Sequence, residues 1–255
     1  MPDGRTHRRD DRQRSASLLG ALLLVGGVLV VSGPARAVRA EELADVEAKA
    51  QYAYFTDDLR SLQQLANETK GWAQSSDSQE RYHYAHVKFR LLQTALATNH
   101  AADAGHASRE CESALGSHGP PSAEFLVLSG LCQGFGGSLS GLRKAVTAAR
   151  RLEPHNPRVL LGEAYAESLA APTGPPNSAA LAVLRESAAA FDRVTAPAPG
   201  APTWGAAEAA LLLGQGLTRS GDTFAARNAL ERCLVIAPDF HAASRSLAAL
   251  GVGGR

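Results

Sequence analysis

Cysteine, methionine and aromatic residues are scarce in this chain of 255 residues: three cysteines, one methionine, and 5% Phe, Trp and Tyr together. The cysteines stand alone at positions 111, 132 and 233, which excludes a CxxC pair and a disulfide-dense framework. With 45% hydrophobic residues and so few aromatics, the apolar content consists mainly of alanine and leucine, a composition that suits helices. An excess of one charge is also missing. Lys and Arg number 26 against 25 Asp and Glu, a net charge of +1, which excludes the broad basic field of a dedicated nucleic-acid binder. No stretch sustains apolar alternation with β-branched residues, so a sheet is not expected. HExxH, P-loop, GxGxxG and GxSxG motifs are absent wherever they could act, and no enzymatic activity, cofactor or metal is expected.

What is present begins with an address. Arg5, Arg8, Arg9, Arg12 and Arg14 precede an uncharged run from Ser15 to Ala35 whose most apolar part is Leu18–Val31. This order is that of a secretory signal over residues 1–37, with Ala35 and Ala37 placed for cleavage before Val38, and Val38-Arg39-Ala40 as a second small site. The alternative is an uncleaved anchor, because the uncharged run is long enough to cross a bilayer core of about 30 Å. Cleavage leaves 20 basic and 22 acidic residues and no second spanning stretch, so the expected product is a periplasmic or secreted protein free of the membrane.

The remainder reads as consecutive helices. Tyr82, Ala85, Phe89, Leu92 and Leu96 recur at steps of three and four, and Leu62, Leu65, Thr69 and Trp72 do the same. Thr56-Asp57, Ser76-Asp77 and Gly221-Asp222 are start signals between such runs. Helices are predicted near 41–55, 58–75, 78–97, 101–115, 121–135, 139–152, 157–170, 178–195, 205–219, 222–236 and 239–250, paired as antiparallel hairpins. The acidic residues Glu41, Glu42, Asp45 and Glu47 are expected at the start of the first, favoured by its dipole.

Ala207–Phe240 resembles the tetratricopeptide repeat, a helix–turn–helix unit of about 34 residues. In that register Leu213-Gly214 occupy positions seven and eight, Gly221-Asp222 the turn, Ala226 position twenty and Pro238 position thirty-two. Gly214 and Ala226 would be small where the paired helices press together, and Pro238 would stop the second helix. Ala210 and Leu230 replace the usual large aromatics. Ala123–Asn156 is a weaker copy with Gly130 and Gly137 in phase. Between the two lies Leu161-Gly162-Glu163-Ala164-Tyr165, with excess length in the proline-rich segments 172–176 and 197–202. Residues 41–118 share the hairpin pattern without a motif. The resemblance implies an all-α, right-handed α-solenoid, with hairpins at 38–118 and a repeat region at 119–255.

The same resemblance implies an exported, bacterial-type scaffold that holds a protein or peptide in a groove lined by the first helix of each pair. The groove positions carried onto the best repeat are Glu208, Leu211, Gln215, Thr218 and Arg219. The middle unit contributes Asn156, Val159, Glu163, Ala166 and Glu167, and the weaker copy Glu124, Val127, Leu131, Gly134 and Phe135. The alternative is a small-ligand-binding component that accompanies a solute transporter, walled by Leu211, Phe135 or Val159. His83 and His86 could share a helical face as metal ligands, but the surrounding spacing supplies no full ligand set, and a polar helix face is expected. Gly134–Gly137 is read as a helix–helix turn, and the glycosylation pattern Asn67-Glu68-Thr69 is discounted because it lies inside a predicted helix. If the helices of Cys111 and Cys132 join near residue 118, the two are offset by about 10 Å along the axes. Three unpaired thiols are therefore expected.

Overall fold

A computed structural model of the chain describes residues 34–116, 122–194 and 201–252. Most of the expected signal segment lies outside them; only the backbone of its last four residues, from Pro34, is described, as the first turn of a helix. Among the described residues the secondary structure is all-helical, with eleven α-helices, one 3₁₀ turn and no strand. No helix among them is long and apolar enough to cross a membrane.

The helices are α1 (Pro34–Phe55), α2 (Leu59–Glu68), α3 (Ser78–Ala97), α4 (Ala101–Leu115), α5 (Ala123–Phe135), α6 (Leu139–Leu152), α7 (Pro157–Ala170), α8 (Ser178–Phe191), α9 (Ala206–Arg219), α10 (Thr223–Ile236) and α11 (His241–Val252). Several start where a short polar side chain can satisfy an orphan amide. Asp77 accepts from Gln79, Ser122 from Phe125, Asn177 from Ala180 and Asp222 from Ala225. The predicted 58–75 helix breaks at Thr69, whose hydroxyl bonds back to the Leu65 carbonyl, and continues as the 3₁₀ turn Lys70–Gln74. Midway through the unit 207–240, Gly221 takes φ +82° in the turn between α9 and α10, a conformation that strains residues with a Cβ.

Neighbouring helices pair as α3 with α4, α5 with α6, α7 with α8, and α9 with α10. The helices α3, α5, α7, α9 and α11 also touch one another in series, and Arg150 of α6 reaches Glu186 of α8 at 3.4 Å. The seams close around glycine. A Cβ on Gly130 would lie 2.8 Å from Ala145 Cβ, one on Gly162 2.8 Å from Val146, and one on Gly214 2.6 Å from Leu230 Cγ. Leu230 is itself buried, so an aliphatic side chain fills the space opposite Gly214.

The hydrophobic core crosses position 118. Tyr82, Phe89 and Cys111 share one cluster with Leu128, Val159, Leu184 and Trp204, and the described residues form one compact unit. Cys111 and Cys132 are joined by a disulfide with Cα atoms 6.2 Å apart, and only Cys233 is free among the three. The expectation of three thiols is corrected. The Ser108 hydroxyl donates to the Cys132 carbonyl at 3.0 Å, so the C-terminal part of α5 lies against the middle of α4. That moves the level of Cys111 from residue 125 to Cys132. Cys233 is the compact buried hydrophobe expected, and burial pushes its thiol up to about 12.

Candidate functional site

Helix α3 is the most enclosed element of the molecule. All fifteen residues from Arg81 to Ala95 are buried, packed by α1, α2, α4 and α5 and reaching α7 and α9 through their side chains. Such burial is unusual for a segment containing Arg81, His83, His86, Lys88, Arg90 and Gln93, since burying a charge requires a partner. The structure supplies partners from distant sequence. The Arg90 guanidinium pairs with Glu208 of α9, both out of water, and lies 4.5 Å from the Tyr54 ring centroid. Gln93 donates to the Tyr165 hydroxyl at 3.3 Å, and Trp204 Nε1 donates to the Tyr82 hydroxyl at 3.1 Å.

Glu47 of α1 ties three elements together. Its carboxylate accepts from the Thr203 amide and hydroxyl, both at 2.6 Å, and lies 3.5 Å from His83 Nε2. Burial works against its charge, but the hydrogen bonds from His83 and Thr203 and the charge of His86 win, holding it down at about 2. His86, stacked 5.4 Å from Trp204, is pushed well below the usual histidine value by burial and then by Arg90. The polar helix face expected at His83 and His86 is therefore buried rather than solvated, and the placing of Glu47 at a helix start is corrected too. Glu47 sits mid-helix because α1 begins at Pro34. Among the described residues no three His, Cys, Asp or Glu side chains gather as a metal site.

This interior occupies much of the surface that the repeat register assigns to a groove. Glu208 is spent on Arg90, and Leu211, Val159, Ala166, Val127 and Leu131 are buried. Glu124 accepts from the Arg158 Nε at 2.8 Å and from Asn156 at 2.7 Å. Phe135 packs edge-on to Phe89 and Tyr165, and a Cβ on Gly134 would meet Leu142. Glu163 lies 3.7 Å from Arg150, and burial raises its carboxyl above the ordinary range. Gln215 reaches Ser246 at 3.4 Å, and Thr218 is exposed with its hydroxyl on the Gly214 carbonyl. Most of these positions meet the chain's own groups, and α1 and α3 close against α9 and the start of α11. Tyr54 and Phe55 of α1 pack at a tilt on Phe240, and Asp57 pairs with Arg245 at 2.6 Å.

Two of the expected residues, Glu167 and Arg219, come together at an open cavity of about 290 Å³. It lies between the C-terminal ends of α7 and α9, the N-terminal part of α8, and Arg143 of α6. Ala170, Ala171, Ala180, Leu184, Pro175 and Pro176 supply its apolar wall. Arg219 is half-buried, and its Nε donates to the Gly174 carbonyl at 3.1 Å. Desolvation lowers its pKa, and no described carboxylate forms an ion pair with it. Arg143, by contrast, has Glu167 at 3.8 Å. The Ser168 hydroxyl beside them is buried without a hydrogen-bond partner. Arg143 and Ser168 were missed from sequence because neither falls on a groove position; the proline-rich segment 172–176, which forms one rim, was the available signal.

No protein-family model matches this chain, and no curated protein matches it.

Proposed function

We propose that this protein is an exported, tetratricopeptide-like α-solenoid that works as an interaction scaffold, holding a polypeptide partner at the cavity between α6, α7, α8 and α9. The carrying observation is that Glu167 and Arg219 converge on an open, partly apolar recess while most other groove positions are consumed by internal contacts. Three features support the solenoid reading: the chain of touching inner helices, the glycine seams at Gly130, Gly162 and Gly214, and the turn at Gly221. The buried Cys111–Cys132 disulfide supports an oxidising destination such as the periplasm or cell exterior, in keeping with the basic and apolar N-terminus.

A photo-crosslinking residue at Ala171, on the cavity wall, tests the reading in the native host, with one at the strongly exposed Phe224 as control. A discrete polypeptide adduct at Ala171 that is absent at Phe224 is the expected result. Adducts at neither position, or at Phe224 alone, would remove the partner site from this cavity.

A further inference from the structure

We infer that the recess between α6, α7, α8 and α9 is a monoanion site for a carboxylate carried on a short apolar group, with the Arg219 guanidinium as its anchor; this rests on the polypeptide-binding reading above. A guanidinium presents its donors in a planar fork that matches a carboxylate. In Arg219 the Nε edge is already committed to Gly174, which fixes the plane and leaves the end-on pair of Nη groups for a bidentate acceptor. An arginine held half out of water with no carboxylate partner is otherwise a poor use of a charge, because desolvation is incurred without a compensating ion pair. The unpartnered hydroxyl of Ser168 adds a neutral donor or acceptor on the same wall.

The remaining charges select the valence of the ligand. Arg143 is matched by Glu167, so the recess carries one uncompensated positive charge, and Glu167 disfavours a dianion such as phosphate. The volume, about 290 Å³, lies at the small end of ligand pockets and suits one side chain or a small acid rather than a long ligand. Leu184, Ala180 and the two prolines would receive the apolar part.

The test titrates the purified chain, without its first 37 residues, with acetyl-Leu-Glu-Ala-amide, with its glutamine counterpart, and with free butyrate. The glutamate peptide should bind about tenfold or more tightly than the glutamine peptide, and Arg219→Gln should erase that preference while leaving the melting temperature nearly unchanged. Arg219→Lys should restore only part of it, because a lysine lacks the fork. Equal binding of the two peptides, or a preference that survives Arg219→Gln, overturns the inference. If butyrate binds as tightly as the peptide and Arg219→Gln abolishes both, the carboxylate site stands and the polypeptide reading falls. If neither carboxylate binds while Ala171 still crosslinks a polypeptide, the inference falls and the scaffold reading stands.

Discussion

Two arginines on the inner helices, Arg90 in α3 and Arg219 in α9, are both withdrawn from water, and their surroundings differ in one decisive respect. Arg90 is fully buried and meets Glu208, a carboxylate 118 positions away in sequence. Arg219 is half-buried and meets a backbone carbonyl. The first pairing closes the molecule: together with Glu47–Thr203 and Tyr54–Phe240 it joins the N-terminal helices to the last ones. The second leaves a cation with capacity to spare. Charge in the interior of this protein serves the fold, and on the proposed reading charge at the edge of α6–α9 serves a ligand.

The sharpest way to break this contrast is to remove Glu208. Glu208→Leu should cost about 3–5 kcal/mol in urea denaturation, because Arg90 would be left buried and uncompensated. The double change Arg90→Met with Glu208→Leu should recover much of that loss, since apolar residues need no partner there. A small cost for Glu208→Leu alone would mean that Arg90 reaches water. Next in size, Cys111→Ser with Cys132→Ser should cost about 3 kcal/mol by releasing a cross-link between α4 and α5. Mass spectrometry of the unreduced protein should show the Cys111–Cys132 pair.

Acid should act on the interior and spare the edge. Glu47 is held at about 2 against an ordinary 4.5, so its contribution is complete above about pH 4.5 and disappears as the pH falls toward 2, a loss of about 3 kcal/mol. His86 adds to it in the same direction. Its folded value lies well below 6.5, so below that pH the unfolded chain takes up a proton that the folded chain refuses. Denaturation midpoints measured from pH 7 to pH 3 should decline steadily, and Glu47→Gln should flatten the lower part of the curve. Gly214→Leu should cost about 1–3 kcal/mol, because its Cβ already falls 2.6 Å from Leu230 and the α9–α10 seam must open. The smallest stability effect is expected at the edge: Arg219→Glu should shift unfolding by less than about 0.5 kcal/mol yet abolish crosslinking at Ala171. If Arg219→Glu unfolded the chain and Gly214→Leu did not, the helix register of α9 would be wrong.

Local features were legible from the residues because their causes are local. The period of Tyr82, Ala85, Phe89 and Leu92 places a buried stripe on α3, Asp77 and Asp222 mark helix starts, and Gly221 marks a turn. The predicted spans 78–97, 101–115, 139–152 and 157–170 coincide with α3, α4, α6 and α7. In α3, however, the apolar stripe says nothing of the other faces. His83 and His86 read as a polar helix face until Glu47 of α1 and Trp204, just before α9, meet them, and Arg90 finds Glu208 in α9.

What the sequence by itself determined is therefore the all-helical class, the hairpin pairing and the small residues at the seams, since capping, periodicity and steric fit act over a few turns. Only the tertiary structure decided that α3 would be enclosed, that Cys111 would meet Cys132, and that Arg219 rather than Glu208 would stay accessible. Each of those outcomes depends on the axial register and closure of helices set by contacts up to 188 positions apart, as between Asp57 and Arg245. A periodic pattern carries no record of such distances, because the same stripe is compatible with an open groove or with one filled by the chain's own first helices.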